Sequence, residues 1–135
     1  MSNPISSYLG FQADALPLRE QRLKLIASNL ANADTPGYRA RDLDFNAALS
    51  AAAQARQSAG RPQVEVRPDH LALPPVDGLH AFETVRLASQ PSLDGNTVDP
   101  DAERAAYGRA ALEYRASLSF LESKVRTLLT AITGQ

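Results

Sequence analysis

The chain has 135 residues, about the size of one domain, and its 14 basic side chains against 15 acidic ones leave a formal net charge of −1. That balance lacks the positive excess that nucleic acid or an anionic membrane selects. With 6% aromatic residues, no tryptophan and no cysteine, a lone core is thin and calls for partners, and thiolate catalysis, thiolate metal sites and disulfides are excluded.

At the N-terminus, Met1-Ser2-Asn3-Pro4-Ile5 has no basic stretch leading into an apolar run, so no cleaved signal peptide is expected. No later segment approaches the roughly 20 apolar residues of a membrane span. From Tyr8 to Ala33, Leu9, Leu16, Leu23 and Leu30 recur at a heptad interval, with Ile26 three beyond Leu23, which predicts an amphipathic helix with an apolar seam. Gly10 weakens its first turn. Pro17 lacks an amide proton and crowds the preceding turn, so the helix is expected to kink or restart there. Arg19, Arg22 and Lys24 with the intervening Glu20 read as a solvated face.

The helix is expected to stop near Ala33, because the residue before Pro36 is steered away from helical geometry and Asn32 can bond to freed helix-end groups. Pro36-Gly37 favours a turn with positive φ at the glycine, and Tyr38 can bury its ring while its hydroxyl stays paired. Read alone, this is a helix-stop turn. Asp44 can then cap a short alanine-rich helix from Phe45 to about Ser58, ended by Gly60. Beyond it, Pro62, Pro68, Pro74, Pro75 and Pro91 alternate with Gly78 and Gly95, which predicts mostly loop. Val64-Glu65-Val66 and Thr84-Val85-Arg86-Leu87 are candidate brief strands.

A second long helix opens with Asp99 as N-cap and Pro100 in the first turn, with Asp101 and Glu103 where the helix dipole favours negative charge. One heptad position holds Tyr107, Tyr114, Leu121 and Leu128; another holds Ala111, Leu118, Val125 and Ile132. Gly134 stands where the helix stops. At about 1.5 Å per residue this helix is roughly 50 Å long, more than a small globule uses. The expected fold is mainly α: N- and C-terminal heptad helices form a coiled-coil-like pair around a proline-rich middle. The segments are 1–45, 46–98 and 99–135 within one structural domain.

His70 and His80, near Asp69 and Asp77, match no compact metal-ligand spacing. Asp94 to Asp101 faintly resembles a calcium loop, but its glycine comes early and Pro100 breaks the register, so a turn followed by a helix cap explains it better. Neither a nucleophile elbow nor a phosphate-cradling glycine loop is evident. We expect no catalytic residues, no metal, no cofactor and no small-molecule substrate.

The run Asn29-Leu30-Ala31-Asn32, two residues, then Thr35-Pro36-Gly37-Tyr38 resembles the signature of the flagellar rod and hook axial proteins. The upstream Arg19-Glu20-Gln21-Arg22 suits that family, and Gly95-Asn96-Thr97-Val98-Asp99-Pro100-Asp101-Ala102-Glu103 resembles the stretch leading into its C-terminal helix. The short length and Arg41-Asp42-Leu43-Asp44-Phe45 are most similar to proximal rod members. The resemblance implies a structural subunit of the periplasmic rod of the flagellar basal body, exported from the cytoplasm by the flagellar type III apparatus without a signal peptide. The implied partners are copies of itself, other rod proteins, the junction protein at the inner-membrane ring and the export gate. In that family the gate reads an aromatic residue, three others, then an apolar one, a pattern that Phe45 and Leu49 fit. The alternative is that these two side chains only dock the short helix. The seams Leu9, Leu16, Leu23, Ile26 and Leu30 and Tyr107 through Ile132 are expected to pack the two helices together and against neighbouring subunits. Two other functions stay open at this point: a soluble helical adaptor or chaperone-like binder, and a small metal-dependent enzyme.

Overall fold

Asp99 caps the longest element as its position suggests, its side chain accepting hydrogen bonds from the amides of Asp101 and Ala102. Pro100, which has no amide proton to leave unpaired, opens the helix. Gly134 ends it in left-handed geometry at φ 72, its amide donating to the Thr130 carbonyl. In the computed structural model, which describes residues 4–58, 76–88 and 92–134, this helix is α3 (Pro100–Thr133). It follows α1 (Pro4–Ala31), β1 (Arg41–Leu43), α2 (Phe45–Ser58), a 3-10 turn (Val76–Phe82) and β2 (Glu83–Val85). The fold is mainly α, with the N- and C-terminal helices packed together. No helix among the described residues is long and apolar enough to cross a membrane.

α1 passes through Pro17 and breaks at Gly10 instead, where φ is 39 and ψ −125. A glycine reaches that backbone region without a Cβ clash. Pro17 lies on the exposed side with Ala13, so the carbonyl orphaned by its missing amide is on the wet face of the helix, where water can serve it. α2 begins at Phe45 as predicted, with Asp44 accepting from the Ala47 amide through its side chain and from the Ala48 amide through its carbonyl.

β1 and β2 pair antiparallel, Arg41 opposite Val85 and Leu43 opposite Glu83. The strand predicted at residues 84–87 is thus shorter and starts one residue earlier. β1 was not foreseen, because three residues carry too little alternation to signal a strand. The other candidate strand, Val64–Val66, lies outside the described residues, as does His70.

The apolar core sits between α1 and the middle segment: Leu18, Leu25, Leu43 and Ala48 are buried, with Phe45, Leu49, Leu79 and Phe82 packed around them. Burying each leucine contributes about 1.5 to 3 kcal/mol. Leu18 and Leu25 are one heptad apart but are not the leucines of the predicted seam. Leu9, Leu16, Leu23 and Leu30 are half-buried, and of the predicted set Ile26 alone is fully buried.

α1 and α3 lie side by side and antiparallel, as two contacts far apart in the pair show. Asn29 meets Glu103, and Arg19 donates to the Glu113 carbonyl at 2.7 Å. The residues α3 buries are Glu103, Ala110 and Ser117. These are seven apart, so the contact is heptad-spaced, yet it uses a row of small and polar residues beside the apolar seam. Small side chains let two helix backbones approach closely, and that explains the offset. Tyr114, Leu121, Leu128 and Ala111 are left half-buried, and Tyr107, Leu118, Val125 and Ile132 exposed.

Candidate functional site: the helix joint and the apolar faces

Past Ala31, the amides of Asn32, Ala33 and Thr35 still find carbonyls within this tightening turn. Thr35-Pro36-Gly37-Tyr38 then closes a β-turn, with the Tyr38 amide on the Thr35 carbonyl at 3.2 Å. Gly37 has φ 72, the positive angle that the third residue of a type II turn requires. The carbonyls at the end of α1 are satisfied from far along the chain. Asn96, itself buried, directs its Nδ2 to the carbonyls of Asn32, Ala33 and Thr35 at 3.0, 2.7 and 3.0 Å. Its own carboxamide oxygen takes the Val98 amide at 2.8 Å. The loop leading into α3 therefore caps the end of α1.

Further bonds tie that loop down. Gly37 N–H donates to the Asp94 carbonyl at 2.9 Å, Thr97 N–H to the Tyr38 carbonyl at 3.0 Å, and Ala40 N–H to Thr97 Oγ1 at 2.8 Å. A Cβ on Gly95 (φ 75) would meet the Gly37 Cα at 3.8 Å, so the two glycine turns are stacked. Asp94 supports its own turn by accepting the Asn96 amide. Asp94 and Asp99 thus serve a turn and a helix cap.

Asn29 is fully buried. Its Oδ1 accepts the Arg41 amide at 2.9 Å, and its Nδ2 donates to the Arg41 carbonyl at 2.7 Å. The side chain therefore completes the open edge of β1 as a neighbouring strand would. Tyr38, half-buried, donates its hydroxyl to Asn29 Oδ1 at 3.3 Å and lies 3.3 Å from Ser28 Oγ. Asn32 donates to the Ser28 carbonyl and accepts from Thr35 Oγ1. Leu30 is half-buried, and Ala31, Thr35 and Pro36 are exposed. Within the signature, Asn29, Asn32 and Tyr38 thus turn inward to hydrogen-bond partners, while the turn residues stay outside.

A charged cluster adjoins this joint. Arg22 Nε lies 3.2 Å from Asp42 Oδ1, and Arg86 spans Asp42 Oδ2, at 3.1 Å, and Glu103. Glu103, fully buried, also receives Asn29 Nδ2 at 3.4 Å. Alongside, Glu83 is held by Arg41 at 3.3 Å, by Gln21 at 3.2 Å and by His80 at 2.5 Å. Burial raises the proton affinity of Asp42, but the Leu43 amide and the Arg22 and Arg86 guanidinium groups overcome it, so its pKa lies below the ordinary value of 3.8.

One sequence reading needs correction, the solvated basic face of α1. Arg22 turns inward to Asp42, and Arg19 lies over the Phe45 ring at 5.8 Å while bonding α3; only Lys24, paired with Glu20 at 2.8 Å, belongs to a solvated face. Glu103 stands in the first turn of α3 as the sequence suggested, and is in addition a buried ion-pair partner, which its place near the helix dipole did not reveal. Asn96 and Arg86 were not singled out individually. The signal for Asn96 and Glu103 was present, since both fall in Gly95–Glu103, whereas Arg86 lies in a stretch without a motif.

The apolar faces converge along the helix pair. Ala27, Leu30 and Ala31 of α1 line one shallow groove together with Tyr107 of α3. Leu121, Val125 and Leu129, with Glu122 and Arg126, line another farther along α3. Phe45 and Leu49 pack against the core, which is the docking role weighed against an export signal.

A family profile described as "Flagella basal body rod protein" matches residues 9–39. The chain is 38% identical to the flagellar basal body rod protein FlgB of Salmonella typhimurium (strain LT2), over 99% of each chain. It is 38% identical to that of Escherichia coli (strain K12), over 98% of this chain and 97% of the relative. Identity to FlgB of Aeromonas hydrophila is 41%, over 93% and 92% respectively.

Two outcomes test the joint. Asn29→Asp keeps the shape but turns an acceptor toward the Arg41 carbonyl and a second carboxylate toward Glu103, so it is expected to lower unfolding free energy by about 3 to 5 kcal/mol at neutral pH; urea denaturation measures it. The Asp42 contribution has a defined sign: a depressed pKa means its stabilisation is complete above 3.8 and is lost as pH falls through the lowered value. Asp42→Asn should therefore lose stability at pH 7 and flatten the pH dependence of the urea midpoint below 3.8 relative to the parent chain.

Proposed function

The chain belongs to the FlgB family of flagellar basal-body rod proteins, and from that premise we propose that the exposed seam of α3, with Leu9, Leu16, Leu23 and Leu30 on α1, forms the contacts between rod subunits. The chain is a structural subunit of the basal-body rod. What supports the seam reading is the exposure of one apolar heptad row, Leu118 at 37%, Val125 at 41% and Ile132 at 78%, with Tyr107 of the other row at 43%. A single exposed leucine needs no explanation, but a continuous apolar row on a long helix marks an interaction surface.

Apolar rows along an antiparallel helix pair suit contacts that repeat along an axis without closing, and such contacts build a tube. Each seam side chain buried between subunits adds about 1.5 to 3 kcal/mol, which can offset the cost of ordering a chain with a thin core. The Thr-Pro-Gly-Tyr joint, from Asn29 to Tyr38, fixes how the middle segment leaves the helix pair. Its partners in this reading are copies of itself, other rod proteins and the junction protein at the inner-membrane ring. Similarity to rod proteins along nearly the whole chain favours this over a free-standing adaptor.

Export through the flagellar type III gate is part of the same proposal. The gate would read Phe45 and Leu49 in the unfolded chain, before these side chains join the core.

Leu118→Asp and Val125→Asp place charge on positions already exposed in the lone chain, so helical content should persist while rod assembly and motility are lost; a motile strain with normal basal bodies would refute the seam assignment. For export, Phe45→Ala with Leu49→Ala is expected to block release of a tagged subunit while its cytoplasmic level holds. Unimpaired secretion would leave the two residues with the docking role alone.

A further inference from the structure

Arg86 stands just past β2, outside the residues 9–39 that match the family profile. Its backbone amide is fixed to the Ala40 carbonyl at 2.8 Å, so the side chain starts from an anchored point. From there the guanidinium reaches two elements. NH2 lies 3.1 Å from Asp42 on β1, and NH1 bonds Glu103 in the first turn of α3, whose side chain is 1% exposed.

The rest of the fold does not set an angle equally well. The middle segment is attached to α1 through Leu18, Leu25, Leu43 and Ala48 and through the Asn29–Arg41 and Arg22–Asp42 bonds, which tie the hairpin to α1 and not to α3. α3 rests on α1 through Glu103, Ala110 and Ser117, a contact that does not itself reach the hairpin or α2. A guanidinium is planar, and its fork holds two carboxylates in a fixed relation. The charges also balance in pairs, Arg22 and Arg86 against Asp42 and Glu103. Without Arg86, Asp42 retains Arg22, while among the described residues Glu103 keeps only the Asn29 amide at 3.4 Å.

We propose that Arg86 is the positioning residue of the joint: by bridging Asp42 and Glu103 it holds α3 at one orientation to the β-hairpin and α2. This goes beyond the rod reading, because it concerns the isolated chain and stands whether or not the seams contact other subunits. The backbone bonds of the joint bring α1 and α3 together, and Arg86 selects the angle.

The chain has no cysteine, so spin labels can be placed without background at Ser50→Cys on α2 and Ser119→Cys on α3, both exposed. Pulsed dipolar spectroscopy on the full chain should give a single narrow distance. In Arg86→Met that distance should broaden or split, and in the double variant Arg86→Met/Glu103→Gln it should stay broad, because removing the uncompensated carboxylate does not replace the fork. Arg86→Lys keeps the charge but cannot fork between both carboxylates, so it should also broaden while helical circular dichroism stays intact. An unchanged distance in Arg86→Met or Arg86→Lys, even with a lower melting temperature, would overturn the proposal and reduce Arg86 to a stabilising contact. A narrow distance restored by Glu103→Gln in the absence of Arg86 would overturn it too, because charge compensation and not the fork would then set the angle. If Arg86→Met does not fold, the distance in Arg86→Lys decides between the two roles.

Discussion

Asn29 sits where α1, β1 and α3 converge, and because its carboxamide carries a donor and an acceptor it can serve the backbone of Arg41 from both atoms at once. A three-residue strand paired on one edge is marginal in water. With its second edge completed by a buried side chain, β1 becomes a fixed platform for Asp42 and Leu43. Leu43 then seals the core under α2, and Asp42 gathers Arg22 and Arg86. The tyrosine of the signature and the buried Glu103 both bond this one amide. Removing a polar group from water is unfavourable unless every donor and acceptor finds a partner, and Asn29 meets that condition on each side.

The elements that local chemistry controls were readable from the sequence. The cap by Asp99, the stop at Gly134, the turn at Pro36-Gly37 and the start of α2 after Asp44 each depend on a few adjacent residues, and all appear as expected. The choice of which α3 row faces α1 was not readable, since heptad arithmetic marks Tyr107 to Ile132 as the apolar stripe without saying whether an internal or external neighbour covers it. Glu103, Ala110 and Ser117 look unremarkable as a set until α1 is seen against them. Arg22 and Arg86 were equally opaque. A charged side chain is drawn inside only by partners distant in sequence, here Asp42 and Glu103, and no local pattern announces them. Pro17 misled for a related reason, because its effect depends on whether the wet or the dry side of the helix loses a hydrogen bond.

α3 thus separates two tasks onto neighbouring strips of one cylinder. The strip that serves the chain's own fold is small and polar. The strip beside it is rich in leucine, valine, isoleucine and tyrosine and is only partly used within the molecule. A helix that spent its apolar surface on its own partner would have none left for a neighbour. Here close approach through alanine and serine holds the pair together and leaves the larger side chains outward, an arrangement well suited to a family of rod-building proteins.

The inward strip also carries information about alignment. Its repeat of seven allows α3 to slide along α1 by two turns and meet the same geometry, so spacing alone cannot tell one setting from the next. The side chains can: a slide by one repeat would bring Ala110 to the place where Arg86 and Asn29 expect a carboxylate, stranding charges at a loss of about 3 to 5 kcal/mol. One glutamate in an otherwise permissive row therefore gives the helix pair a single reading frame, and with it a fixed distance from the glycine turns to the stop at Gly134.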